Sequence, residues 1–72
     1  MLIGKINDKR HQKLLVTLRE IKGSTYIDFR VHGLGTDGEF VATAAGLTLT
    51  VEQVDQAIDL LMEAKKRVID QG

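Results

Sequence analysis

Residues 14–32 read LLVTLREIKGSTYIDFRVH, two alternating segments joined by a tight turn at Lys22-Gly23-Ser24. Successive side chains of a strand point to opposite faces of a sheet, so this alternation predicts a β-hairpin. One face would be apolar, with Leu14, Val16, Leu18, Ile27, Phe29 and Val31. The other would be mixed, with Leu15, Thr17, Arg19, Ile21, Tyr26, Asp28, Arg30 and His32. The apolar face needs a covering element, and we expect functional residues on the mixed face.

The hairpin is predicted to lie within a four-stranded sheet. Its own strands span about 13–21 and 25–33, and the following loop contains the turn-forming pair Asp37-Gly38. A third strand is predicted at 39–44 and a short fourth strand at 47–49, separated by the strand-breaking Gly46. Because every connection is short, we expect an antiparallel β-meander.

A C-terminal helix is predicted over residues 51–69. Thr50 and Gln53 have the spacing of a capping box, and no Gly or Pro interrupts the segment. The fold class is therefore α+β, with four strands followed by one helix. The apolar residues of this helix cover an arc of about 200°, wider than one small sheet face needs. This width favours a two-fold homodimer through the helices, the alternative being a monomer with exposed leucines.

Length and composition indicate one domain of 72 residues without disulfides, since there is no Cys. Residues 1–12 are expected to form a basic N-terminal arm, in which Met1-Leu2-Ile3 could instead add to a sheet edge. Residues 13–72 form the predicted domain. The sequence has neither a signal-peptide core nor an apolar run of membrane-spanning length, so we expect a soluble cytoplasmic protein.

Charge is distributed unevenly although the net charge is zero. Residues 1–34 contain seven Lys or Arg against three Asp or Glu, whereas residues 35–72 contain three against seven. Such asymmetry suggests an electrostatic partner for the basic half, the alternative being an ordinary solvated surface. Four residues near the N-terminus could continue this positive charge as a flexible arm, here called the basic track, the alternative being a solubilising tail: Lys9, Arg10, His11 and Lys13.

The sequence contains little that would support a catalytic or metal-binding site. His11 and His32 lack metal-ligand spacing with acidic residues, and Ser24, the only serine, lies in a turn. The sequence Gly33-Leu34-Gly35 does not open a helix and is not a dinucleotide-binding fingerprint. We therefore expect neither an enzyme nor a bound metal or cofactor.

Four motifs in order resemble the positive-cofactor-four family of transcriptional coactivators. They are LVTLRE at 15–20 with KG at 22–23, YIDFR at 26–30, GE at 38–39, and GLTLTVEQ at 46–53. The resemblance covers about residues 13–64. It implies a sheet-and-helix homodimer that binds single-stranded DNA without sequence specificity, in the cytoplasm at the nucleoid or, in a eukaryote, in the nucleus.

The resemblance also implies binding residues. Lys22 and Arg30 match basic family positions, and Arg19 matches a further recurrent arginine. We also predict that Lys13 contacts the nucleic acid and that bases stack on Tyr26 and His32. The expected partners are single-stranded DNA or RNA, a second copy of the chain and the transcription machinery, and no membrane.

Departures from the family pattern leave a second hypothesis open. Val31-His32-Gly33 stands where the family has an aromatic pair, Ile21 stands where an aromatic is common, and 42–45 (ATAA) replaces a lysine-rich segment. The alternative is therefore a dimeric protein-interaction module of the same fold that has lost most of its DNA binding.

Overall fold

A computed structural model describes residues 1–9 and 11–71, with the side chains of 7–9 excepted. Four strands are followed by one helix: β1 (Leu2–Lys9), β2 (Gln12–Ile21), β3 (Ser24–Leu34), β4 (Phe40–Leu49) and α1 (Val51–Gln71). The strands form one antiparallel sheet in the order β1-β2-β3-β4. The predicted fold class, an antiparallel meander with a C-terminal helix, is confirmed.

The β2–β3 hairpin has the predicted pairing. Val16 lies opposite Phe29 and Thr17 opposite Asp28, so the apolar and mixed sets occupy opposite faces. Ile21 pairs with Ser24, which leaves Lys22 and Gly23 as a two-residue turn, both with positive φ (51° and 84°). A turn of this kind matches the right-handed twist of its strands, and Gly23 adopts it without strain.

The N-terminal segment differs from the expected arm, because most of it is strand β1. Ile6 pairs with Leu14, and the terminal amine and the carbonyl oxygen of Met1 both bond to the backbone of Leu18. The alternative that Met1-Leu2-Ile3 adds to a sheet edge is the better description. Arg10, expected on the basic track, lies outside the described residues, as does the side chain of Lys9.

The two strands predicted at 39–44 and 47–49 are one strand, β4, so the prediction that Gly46 breaks the sheet is wrong. Arg30 pairs with Gly46 and His32 with Ala42, which leaves two extra residues in β4 as a bulge. A Cβ on Gly46 would lie 2.5 Å from the carbonyl oxygen of Phe29. Gly46 is required because β4 approaches the β3 backbone too closely for a side chain.

Helix α1 begins as the capping box predicts. The amide of Gln53 donates to Oγ1 of Thr50 at 3.2 Å, and the amide of Thr50 donates to Oε1 of Gln53 at 2.9 Å. The helix continues to Gln71, two residues beyond the predicted end. The length of 21 residues corresponds to about 32 Å.

The apolar face of the sheet and helix α1 enclose an open groove of about 510 Å³ rather than a filled core. Its lining includes Val16, Ile27, Phe29, Leu47, Leu49, Val54, Ala57, Ile58, Leu60 and Leu61. Among the side chains that the structure describes, no apolar one is buried, and Leu60 and Leu61 are 70% and 65% exposed. The single chain therefore leaves its hydrophobic residues uncovered.

Within residues 1–9 and 11–71, no helix is long and apolar enough to cross a membrane.

Candidate nucleic-acid interface

The mixed face of the sheet, here called the polar face, is the candidate interface. Alternation and register place on it Lys5, Lys13, Leu15, Thr17, Arg19, Tyr26, Asp28, Arg30, His32, Phe40, Ala42 and Thr48. At its centre is a shallow open depression of about 340 Å³, which Arg19, Asp28, Arg30, His32 and Thr43 help to line. The β2–β3 register brings most of the predicted site residues together.

Asp28 is the centre of the polar face and is only 4% exposed. Nε and Nη2 of Arg30 donate to its two carboxylate oxygens, each at 3.1 Å, and the Thr48 hydroxyl donates to Oδ1 at 2.9 Å. Nη1 of Arg30 donates to the carbonyl oxygen of Thr43 in the β4 bulge at 3.0 Å. This two-point pairing orients the Arg30 guanidinium, whose side chain is 18% exposed.

The electrostatics of this centre favour the charged carboxylate. Hydrogen bonds from Arg30 hold the pKa of Asp28 below its ordinary value. The Thr48 hydroxyl and the charges of Arg30 and Arg19 act in the same direction, against burial, which raises the pKa. Asp28 is therefore ionised at neutral pH and neutralises part of the positive charge of Arg30.

Arg19 and Tyr26 form one end of the polar face, where they lie directly opposite each other. Nη1 of Arg19 is 3.8 Å from Oδ1 of Asp28, but half of the Arg19 side chain is exposed. Lys22 lies beyond them, exposed in the hairpin turn. Arg19 and Lys22 are thus more accessible to a ligand than Arg30.

Lys13, His32 and Phe40 form the other end. Lys13 pairs with His32, and its Nζ lies over the Phe40 ring, 4.1 Å from the centroid. The imidazole Nδ1 of His32 lies 3.3 Å from the carbonyl oxygen of Arg30. Sequence reasoning did not select Phe40, although alternation back from Leu49 along a continuous β4 would have placed it on this face.

Lys5 is a second residue that the sequence analysis did not select. It is exposed, and it pairs with Leu15, which in turn pairs with Arg30. Residues 1–12 are not predicted to form a strand from the sequence. Alternation therefore could not assign Lys5 to a face of the sheet. Over the described part of the chain, no group of three metal-ligating side chains lies together.

Comparison with solved structures identifies close structural relatives. A PC4 homolog from Burkholderia pseudomallei, solved in an orthorhombic and a tetragonal crystal form, matches with TM-scores of 0.84 and 0.85 at 28% identity. The match covers 90% of this chain and 88% or 96% of the homolog chain. No family model and no curated protein matches the sequence.

A bacteriophage protein shares the fold at greater distance. The T5 homolog of the eukaryotic transcription coactivator PC4, implicated in recombination-dependent DNA replication, matches with a TM-score of 0.66 at 22% identity. The match covers 97% of this chain and 92% of the phage chain. The structure thus confirms what the motifs indicated: the chain resembles bacterial and phage relatives of the positive-cofactor-four (PC4) family.

Proposed function

We propose that this protein binds single-stranded nucleic acid without sequence specificity, through the polar face of the sheet. The observation that supports this most directly is the placement of Lys13 and Arg19 on one face of a PC4-like sheet, with Lys22 at the hairpin turn. Cations in such an arrangement can bind different phosphates along one strand, and Tyr26 and His32 offer rings on which bases can stack.

The charge balance of the polar face supports a polyanionic ligand. Its described strand positions include the cations Lys5, Lys13, Arg19 and Arg30 against the single carboxylate of Asp28. That carboxylate is buried and satisfied, so it presents little negative potential to a ligand. A face with positive and negative side chains interspersed would instead favour a protein-interaction module. Arg30 is proposed to position this centre rather than to add a further phosphate contact, because its charge is paired with Asp28.

The active form is proposed to be a two-fold homodimer. The open groove beside α1 and the exposed Leu60 and Leu61 leave apolar surface that a second copy of the helix can cover. Two copies of Lys13, Arg19 and Lys22 would bind six phosphates. At about 0.7 per contact for single strands, the logarithm of the affinity should fall with the logarithm of salt concentration at a slope near −4.

The cellular role is proposed to be transcription-related and coactivator-like, by contact with the transcription machinery. This rests on the resemblance to the PC4 family. The protein would act by binding rather than catalysis, at the nucleoid of the cytoplasm or, in a eukaryote, in the nucleus. Co-purification of RNA polymerase subunits with the tagged protein tests the role, and imaging of a fluorescent fusion tests the location.

Arg19→Ala tests the binding proposal. We expect weaker binding to a fluorescent oligo-dT and a salt slope reduced from about −4 to about −3, because two phosphate contacts per dimer are lost. The slope is measured by anisotropy at several salt concentrations, with oligo-rU in parallel to compare RNA with DNA. Thermal stability should change little, since Arg19 is half exposed.

Lys66→Ala is the matched control, because it also removes one cation but from an exposed position on α1. Its slope should equal that of the wild type. No binding by the wild type at 50 mM salt, or equal slopes for all three proteins, would contradict the proposal.

The protein-interaction module is the second candidate. The engagement of Arg30 with Asp28 and Thr43 favours it, because it withdraws one predicted DNA-binding cation from the surface. Retention of a protein partner on the immobilised wild type, together with a polar face inert to oligo-dT and oligo-rU, would select this function.

A further inference from the structure

Phe40 occupies an unusual place for an aromatic residue of a small domain. It opens β4 opposite Leu34, and the alternation of β3 puts it on the polar face with His32. It does not line the apolar groove. Its ring, which is neither fully buried nor fully exposed, lies under the Lys13 ammonium at 4.1 Å. A large apolar ring is thus placed among the cations instead of the core.

The neighbours of Phe40 leave room for a flat ligand. Ala42, the next residue of β4 on this face, has a small and exposed side chain. Residues two apart on a strand are separated by about 7 Å, so the small Ala42 side chain leaves open space beside the Phe40 ring. A planar group can therefore approach the ring from the Ala42 side, where the ring carries the Lys13 ammonium. Leu34, directly opposite Phe40 in β3, lies on the other side of the ring.

The two ends of the polar face contain the same pair of chemical groups. At one end Tyr26 lies opposite Arg19, and at the other Phe40 lies under Lys13. Lys13 and Arg19 are six residues apart on β2, or about 20 Å. An aromatic ring beside a cation suits one nucleotide, since the ring can take the base and the cation the phosphate.

We propose that Phe40 is a base-stacking platform for single-stranded nucleic acid, and that Lys13 covers its ring until a base replaces the ammonium. The proposal rests on the proposed function. Stacking of a base on an aromatic ring is stronger than the contact of a partly exposed ammonium with that ring, so the exchange is favourable. The displaced ammonium stays close enough to bind the phosphate of the stacked nucleotide. Phe40 would thus supply an aromatic platform missing at positions 31–33.

Phe40→Trp provides a direct test, because the chain has no other tryptophan. Adding oligo-dT should quench the fluorescence of this variant strongly as a base stacks on the indole. Val41→Trp is the matched control: Val41 is the next residue of β4, 52% exposed and on the opposite face. Its fluorescence should change little at saturating oligo-dT, with binding of both variants followed by anisotropy.

Phe40→Leu gives a second readout that does not depend on an added ring. It keeps an apolar side chain, so we expect an unchanged melting temperature, an unchanged salt slope and an affinity for oligo-dT about tenfold lower. Lys13→Ala should instead reduce the salt slope, because it removes a phosphate contact.

The outcomes separate the two proposals. If the wild type binds oligo-dT but Phe40→Leu binds equally well, or if the bound Phe40→Trp variant is unquenched, Phe40 is not a platform and the proposed function stands. If the wild type does not bind oligo-dT or oligo-rU at all, both proposals fail together.

Discussion

At the scale of single residues, the conspicuous feature is a buried carboxylate on a face proposed to bind a polyanion. Asp28 receives hydrogen bonds from Arg30 and Thr48 and lies 3.8 Å from Arg19. An Arg–carboxylate pair of this geometry orients the guanidinium, and through Thr43 it connects β3 to the β4 bulge. Asp28 thus organises the centre of the polar face and need not touch the ligand.

The lowered pKa of Asp28 predicts how stability depends on pH. Because the folded pKa lies below the unfolded value of about 3.9, the unfolded state binds more protons between the two. The stabilisation is complete above about pH 4 and is lost as pH falls through the folded pKa. Urea unfolding at several pH values checks this.

Asp28→Asn should lower the free energy of unfolding at pH 7 by about 3 kcal/mol, because it leaves the largely buried Arg30 without its counter-charge. The difference from the wild type should shrink as pH falls below about 4, where the unfolded wild type takes up the proton, and should be lost as pH falls through the lower folded pKa of Asp28. A variant as stable as the wild type at pH 7 would show that the pair does not stabilise the fold.

At the scale of elements, β4 differs most from the sequence prediction. A Gly after a run of alanines predicted a break, yet the chain continues as a strand with a bulge of two extra residues. The Thr43 side chain closes this bulge, since its hydroxyl donates to the Val31 carbonyl at 2.8 Å and accepts from the Ala45 amide at 3.2 Å. Two extra residues preserve alternation, so Phe40 and Thr48 share a face.

Gly46→Ala is expected to destabilise the protein by about 1–3 kcal/mol, because the new methyl group would collide with backbone atoms of Phe29 and Arg30. Gly4→Ala is the control, since a Cβ at Gly4 meets nothing within 4 Å. Thermal or urea unfolding of both variants measures the difference. Equal stabilities would mean that β4 does not approach β3 as closely as the structure has it.

At the scale of the whole molecule, one chain cannot bury its own apolar surface. The sheet presents an apolar face and α1 an apolar arc, but the groove between them is open and Leu61 remains 65% exposed. In an isolated domain of this size such exposure is unfavourable, because burial of apolar area is the main stabilising contribution. Folding and association are therefore expected to be coupled, so stability should rise with protein concentration.

Leu61→Glu tests the proposed homodimer. By sedimentation equilibrium the wild type should have twice the chain mass of 8.0 kDa, whereas the variant should dissociate or unfold because a charge enters the apolar groove. Gln56→Glu adds the same charge at an exposed position of α1 outside that groove and should leave the dimer intact. A folded wild-type monomer at micromolar concentration would contradict the dimer.

Features that depend on near neighbours in the chain could be predicted from the amino-acid sequence alone. Alternation sorted the β2–β3 side chains between two faces, Lys22-Gly23 formed the turn, and Thr50 with Gln53 began the helix, because strand parity, turn dihedrals and caps involve residues a few positions apart. The pairing of residues 2–9 with β2 and the close approach of Gly46 to β3 become visible only in the folded chain.

The same distinction applies to the candidate site. Composition and order of motifs selected Arg19, Lys22, Tyr26 and Arg30, but they could not show that Arg30 is held by Asp28 and by the Thr43 carbonyl. Nor could they put Lys13 over Phe40. The Arg30–Thr43 and Lys13–Phe40 contacts join residues 13 and 27 positions apart on different strands. Arg30 and Asp28 are only two residues apart, but Thr43 and Thr48 of β4 complete their arrangement, so all of these contacts need the assembled sheet.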